Sequence, residues 1–213
     1  MTGRSTRVAF FVVPWLVVLL MGALHPALAG DPPKDPVALE GEIRAELEKT
    51  PGDPDLLFRL GNALYDQGRR QEAQTSFEKA VALKPDFVKA MVNLGVVLNE
   101  SGKSEEALKY FESALALSPK DVTVLCNKGQ ALYALRKYPQ AIDLYRQGIQ
   151  VDPGAQLPHY LLGVAFADAG IYREAIVEWE KVVQIDPKTE AATTATEGIK
   201  VLRTLLPPEE QTK

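Results

Sequence analysis

An all-α architecture of stacked helix-turn-helix units is what this sequence predicts, on three observations. Proline returns at Pro51, Pro85, Pro119, Pro153 and Pro187, 34 residues apart each time. Proline has no N–H and a fixed φ, so it breaks a helix at a boundary; a strict interval means that one structural unit is restarted at constant length. With each proline at position 32, four complete units run over 54–87, 88–121, 122–155 and 156–189, and their columns align. Position 8 is Gly61, Gly95, Gly129 and Gly163, position 20 is Ala73, Ala107, Ala141 and Ala175, and position 24 is Phe77, Phe111, Tyr145 and Trp179. Small columns let two backbones approach, so position 8 is expected to meet the small face of position 20, as Gly129 against Ala141, and a large ring fills what they leave open. Within a unit the apolar spacing is helical: Leu57, Leu60 and Leu64 recur at three and four, Gly68 interrupts, and Ala73, Phe77 and Ala80 resume.

The N-terminal thirty residues read differently from the rest. Arg4 and Arg7 precede an apolar run from Val8 to Leu24, and Ala27 and Ala29 stand at small-residue positions before Gly30. That layout predicts a secretory signal over 1–29. The competing reading is a retained membrane anchor, since Val8–Leu24 is near the lower length limit for crossing a bilayer. Either way the remainder is expected to be exported, periplasmic or secreted, and a membrane is a partner only if the segment is uncleaved. Residues 30–35 read as a linker.

From 36 to 50, Leu39, Ile43 and Leu47 recur every four residues beside Glu40, Glu42 and Glu46, and Leu39 and Ile43 fall at positions 20 and 24 of a preceding unit. This predicts a half-repeat helix that lids the stack with a polar outer face. In the units, Gly68, Gly102 and Gly170 at position 15 suit the left-handed residue after a helix, with Arg136 in their place in the third. Asp53, Asp86 and Asp121 stand where N-caps are wanted. Pro139 and Pro158 fall in first turns, where a missing N–H costs little. Over 190–206, Ala191, Ala195, Ile199, Leu202 and Leu206 oppose Thr194, Glu197, Lys200 and Arg203, which predicts an amphipathic capping helix; residues 207–213 are a tail opened by Pro207 and Pro208.

Composition excludes several classes of function. The chain has 213 residues, 46% apolar, with a net charge of -4, so it lacks the basic excess that nucleic acid requires. Loss of Arg4 and Arg7 with a signal takes the 24 basic residues to 22 against 28 acidic ones. Cys126 is the only cysteine, so stability rests on packing without an intramolecular disulfide. His25 lies in the signal, which leaves His159 as the one histidine beside Cys126: too little for a metal cluster. The two stand at positions 4 and 5 of successive units, columns that do not converge. Neither catalysis nor a cofactor is expected.

Leu60, Gly61, Ala73, Phe77 and Pro85, echoed by Leu94, Gly95, Ala107, Phe111 and Pro119, follow the pattern of the tetratricopeptide repeat, which this chain resembles over about two thirds of its length. The family's tryptophan at position 4 is replaced by Leu57, Met91, Leu125 and His159, and its tyrosine at position 11 by Leu64, Leu98, Leu132 and Phe166. The resemblance implies a right-handed α-solenoid whose first helices line a concave groove for a protein or peptide partner. It implies that positions 2, 5, 6, 9, 12 and 13 point inward. Those columns give groove candidates Phe58, Asn62, Tyr65, Val92, Asn93, Val96, Asn99, Cys126, Asn127, Gln130, Tyr133, Tyr160, Leu161 and Val164, with Asp55, Arg59, Asp66, Lys89, Glu100 and Asp168 nearer the rim.

One branch of the family grips a C-terminal carboxylate with three cations and two asparagines. Asn62 and Asn93 match the asparagines, but Phe58, Thr123 and Asn127 stand where the cations belong. A partner is therefore expected to be held by aromatic packing and amide hydrogen bonds, in an exported adaptor; the alternative is a scaffolding subunit anchored by residues 8–24.

Overall fold

The computed structural model of the protein describes residues 35–207. The expected signal or anchor, most of the linker and most of the tail lie outside the described residues. Ten helices follow one another, with no strand among the described residues: α1 (Pro36–Lys49), α2 (Pro54–Asp66), α3 (Arg70–Leu83), α4 (Val88–Glu100), α5 (Ser104–Leu117), α6 (Val122–Ala134), α7 (Tyr138–Val151), α8 (Gln156–Asp168), α9 (Tyr172–Ile185) and α10 (Glu190–Leu205). The pairs α2–α3, α4–α5, α6–α7 and α8–α9 form hairpins, each second helix packs on the next first helix, and successive first helices also touch, α2 and α4 through side chains. Helices this short are marginal alone, so each is held by neighbours before and after it.

Local chemistry sets the boundaries. Asp53 Oδ1 accepts from the N–H groups of Asp55 and Leu56 at 2.8 and 3.1 Å, and Asp121 Oδ1 from Val124 at 3.1 Å, which caps α2 and α6. Asp86 does not cap α4. Phe87 occupies that place without a side-chain cap, in the column that Asp53 and Asp121 fill elsewhere, and Asp86 falls one residue before it. Between the two helices of every unit the chain turns through one left-handed residue: Gly68, Gly102 and Gly170 at φ 76, 77 and 75°, and Arg136 at φ 60°. The next N–H reaches back across the turn in each case, as from Lys137 to Leu132 at 2.9 Å. Arg136 thus adopts the glycine geometry at a steric cost that the same bond helps to offset.

Packing inside each hairpin departs from one expectation. The position-8 glycines face the position-24 ring of their own unit, rather than the position-20 alanine. A Cβ built on Gly95 would lie 2.5 Å from Phe111 Cε1, and one on Gly129 would lie 2.9 Å from Tyr145 Cδ1 and closer still to Cε1. The alanines Ala73, Ala107, Ala141 and Ala175 are fully buried as well. The core divides within α6. Val124 and Ala131 join a cluster reaching back to Ile43, while Leu132 joins Ala141, Tyr145, Leu162 and Ala165; Leu108 packs against both.

At the N-terminal end, α1 packs on α2 with Ile43 fully buried. Glu40, expected on the polar outer face, is buried instead. Its carboxylate accepts from Arg44 Nε at 2.8 Å, Gln67 Nε2 at 2.9 Å and an Arg69 guanidinium nitrogen at 2.6 Å. The hydrogen bonds, led by that of Gln67, hold the Glu40 carboxyl below its ordinary value of 4.5. A lowered folded-state pKa means that the carboxylate's contribution is complete above the unfolded value and is lost as pH falls through the folded one. Glu40→Gln is expected to cost about 1–2 kcal/mol at pH 7, since charge-assisted bonds to partly exposed arginines are weakened by solvent. The gap between variant and parent should close below pH 4.5. Urea unfolding of both proteins at pH 7 and again in that acid range measures it; a gap that widens in acid would contradict the sign.

Candidate peptide-binding face

First helices α2, α4, α6 and α8 carry the candidate columns, and each places one stripe of side chains beside that of its neighbour. Phe58 is half-buried at the start of this face, its ring 5.1 Å from Phe87 and 5.9 Å from Phe77, both tilted. Much of its area is thus spent inside the first hairpin. Asn93 donates to Asn62 Oδ1 at 2.7 Å, so the two asparagines that match the clamp pattern satisfy one another across α2 and α4. Val96, Asn127, Gln130, Tyr133, Tyr160 and Leu161 are half-buried. Asn99 Oδ1 accepts from the Ser104 hydroxyl at 2.7 Å, within its own hairpin.

Three candidates do not present themselves to a ligand. Cys126 is fully buried, and Val92 and Val164 are 9% exposed. Small apolar side chains at columns 5 and 9 sink into the packing instead of standing on it. Burial, with Asp121 as a lesser cause, pushes the Cys126 thiol up to about 12, so no thiolate forms near neutral pH. His159 is also buried, and its Nδ1 lies 2.7 Å from Glu178 Oε2 on α9, an ion-pair geometry within one hairpin. Cys126 and His159 are each committed to their own surroundings. Among the described residues no group of three or more His, Cys, Asp or Glu is placed to hold a metal ion.

Two contacts that the columns alone did not reveal fix the tyrosines. Tyr65 donates to Glu100 Oε1 at 2.6 Å, and Tyr133 donates to Asp168 Oδ2. Each links column 12 of one unit to column 13 of the next, a separation of 35 residues. The pairing was latent in the sequence as a tyrosine followed one period and one residue later by an acid. Arg70 Nε also reaches Glu100 at 3.1 Å. Burial first, and then the neighbouring carboxylate, pushes both phenols well above their ordinary range, so they remain donors at any physiological pH. Tyr160 is raised to about 12 by burial and by Glu190, and its ring stacks on Trp179 at 6.4 Å and 28°. Trp179 Nε1 in turn donates to the Tyr160 carbonyl at 3.1 Å. The result is a face of oriented rings and amides, with acids at one edge.

Comparison with known proteins agrees with this architecture. A family model described as Tetratricopeptide repeat matches residues 58–122 and 126–190. Among solved structures, MamA 41-end from Desulfovibrio magneticus RS-1 superposes with a TM-score of 0.65 at 23% identity, over 74% of this chain and 89% of that one. TTC0263, a thermophilic TPR protein in Thermus thermophilus, gives 0.68 at 18% identity, over 78% and 91%. These identities speak for the α-solenoid fold alone. The peroxisomal targeting signal receptor of Kluyveromyces lactis is 43% identical over 51 residues, which is 24% of this chain and only 9% of that receptor's length. The two family matches cover more than half of the sequence and fall on the hairpins already described, and on that ground the chain belongs to the tetratricopeptide repeat family.

Proposed function

We propose that this protein is an exported, non-catalytic adaptor that holds an extended segment of a partner protein on the face formed by α2, α4, α6 and α8. Repeats of this family serve protein–protein interaction, and the relative from Kluyveromyces lactis carries the reading of a targeting signal in its name. The observation that carries the reading is the set of rings fixed by their neighbours: Tyr133 by its hydrogen bond to Asp168 at the edge of the face, and Tyr160 by stacking on Trp179. A rigid ring with few rotamers to lose, half open to solvent, is the kind of group that anchors a partner. Export is supported by the signal-like layout before Gly30.

A photoreactive phenylalanine at position 133, compared with one at the exposed position 147 on α7, tests the face in the native compartment. Covalent adducts are expected from position 133 and not from position 147. Equal yields, or adducts from position 147 alone, would move the binding surface to the second helices. N-terminal sequencing of the same protein is expected to begin at Gly30; an intact Met1 would favour the anchored scaffold instead.

A further inference from the structure

Each unit meets the next along two seams, first helix against first helix and second helix against the following first helix. Between the second and third units both seams are weakened. On the first-helix side, Asn62–Asn93 and Tyr65–Glu100 tie α2 to α4, and Tyr133–Asp168 ties α6 to α8. Among the described residues no side-chain hydrogen bond or ion pair ties α4 to α6, and Asn99, at the tyrosines' column, is turned to Ser104 in its own hairpin.

The second-helix side shows a matching deficit. Column 7 buries Leu60, Leu94 and Leu162, but in the third unit it holds Lys128. Its side chain is 22% exposed, and its ammonium stands 3.3 Å from Glu112 Oε1 on α5, a side chain that is 60% exposed. Lysine lays its stem along apolar surface and keeps its charge in water, so solvent enters a seam that leucine closes elsewhere. An ion pair this open adds little and is screened by salt. The core narrows at the same place: Val124 and Ala131 belong to the cluster that reaches back to Ile43, Leu132 to the one that runs forward, and Leu108 packs against both. The N-terminal units are tied more firmly, by Glu40 to Gln67 and Arg69 and by the Phe58 and Phe87 rings at 5.1 Å.

In a stack whose units touch only their neighbours, the softest seam takes up the bending. We infer that the protein consists of two bodies, α1–α5 and α6–α10, hinged where α6 meets α4 and α5, with Lys128–Glu112 as an open latch on the second-helix side. Apolar contacts without directional bonds let packed helices slide, which is the shear form of domain movement. Such sliding alters the spacing of α4 and α6, and with it the width of the face that both line. The hinge is a property of the free chain and does not depend on the adaptor reading.

Column 26 is exposed on the second helices and on α1, which supplies matched positions for spin labels. Three double-cysteine variants of the full chain, with the buried Cys126 replaced by alanine, each span two junctions. Ala45 with Ser113 lies inside the first body, whereas Lys79 with Gln147 and Ser113 with Lys181 straddle the hinge. Pulsed electron resonance at low salt should give distance distributions about twice as broad for the straddling pairs as for the internal one. Lys128→Leu, which restores the leucine of the other units, should narrow both straddling pairs to the internal width. Glu112→Gln and high salt, which release the latch, should broaden them and leave Ala45–Ser113 unchanged. Equal widths for all three pairs, breadth confined to Ala45–Ser113, or straddling widths that follow neither variant overturn the inference.

Discussion

Gly129→Leu should lower the melting temperature by roughly 2 to 12 °C, the shift that about 1 to 3 kcal/mol of overpacking produces in a chain of this size. Tyr145 is 1% exposed and is walled in by both helices of its hairpin. Even the Cβ of an alanine would fall 2.9 Å from Tyr145 Cδ1, so leucine forces α6 and α7 apart. The ring shares its buried cluster with the fully buried Ala141, so it has little room into which to yield. Gly52→Leu is the control, since nothing lies within 4 Å of a Cβ at that glycine. Thermal unfolding of the two variants followed by circular dichroism decides the matter: equal melting temperatures would remove the glycine-to-ring contact as the reason for the column.

That contact marks the boundary between what the sequence makes legible and what it does not. Five prolines at one interval, and rings recurring four residues after alanines, expose the hairpins because each signal repeats in every unit. The complementarity of small and large columns was readable in the same way. Its partner was not: position 8 was paired with Ala141 on size alone, while the packing pairs it with Tyr145. Features that occur once, or skip a unit, were hidden. Glu40 looked like a solvated charge because its partners Gln67 and Arg69 are 27 and 29 residues away and belong to no column. Asp86 had the composition of a cap but not its place, since it stands one residue before the column that Asp53, Phe87 and Asp121 share. On the candidate face, column membership identified residues on the first helices but could not separate standing side chains from sunken ones. Cys126 and Tyr160 share column 5, and only size distinguishes them: a thiol fits between helices, whereas a phenol leaves its edge outside.

Deleting Pro187–Lys213 should convert the protein from a single species into aggregating oligomers, because α10 is the surface on which the last hairpin closes. Its inner side is composed of Ala191, Ala192, Ala195, Gly198, Ile199 and Leu202, all buried. Gly198 lies against Trp179, and a Cβ there would stand 2.9 Å from Trp179 Cε3. The largest ring in the stack is therefore enclosed by Gly163 on one side and Gly198 on the other. Removing α10 forfeits the burial of Ile199 and Leu202, about 3 to 6 kcal/mol together, and uncovers Trp179. The exposed Arg203–Glu180 pair at 2.8 Å adds little to this. In a stack stabilised by nearest neighbours, the loss falls first on the fourth unit and leaves an apolar face open at the end of the array. Sedimentation velocity of the truncated chain measures the outcome, with a Gly198→Leu variant of the full chain as a second reading of the same contact. Oligomers from the first and a lowered melting temperature from the second are expected; a monomeric truncation together with an unaltered Gly198→Leu variant would show that α9 closes the stack without a cap.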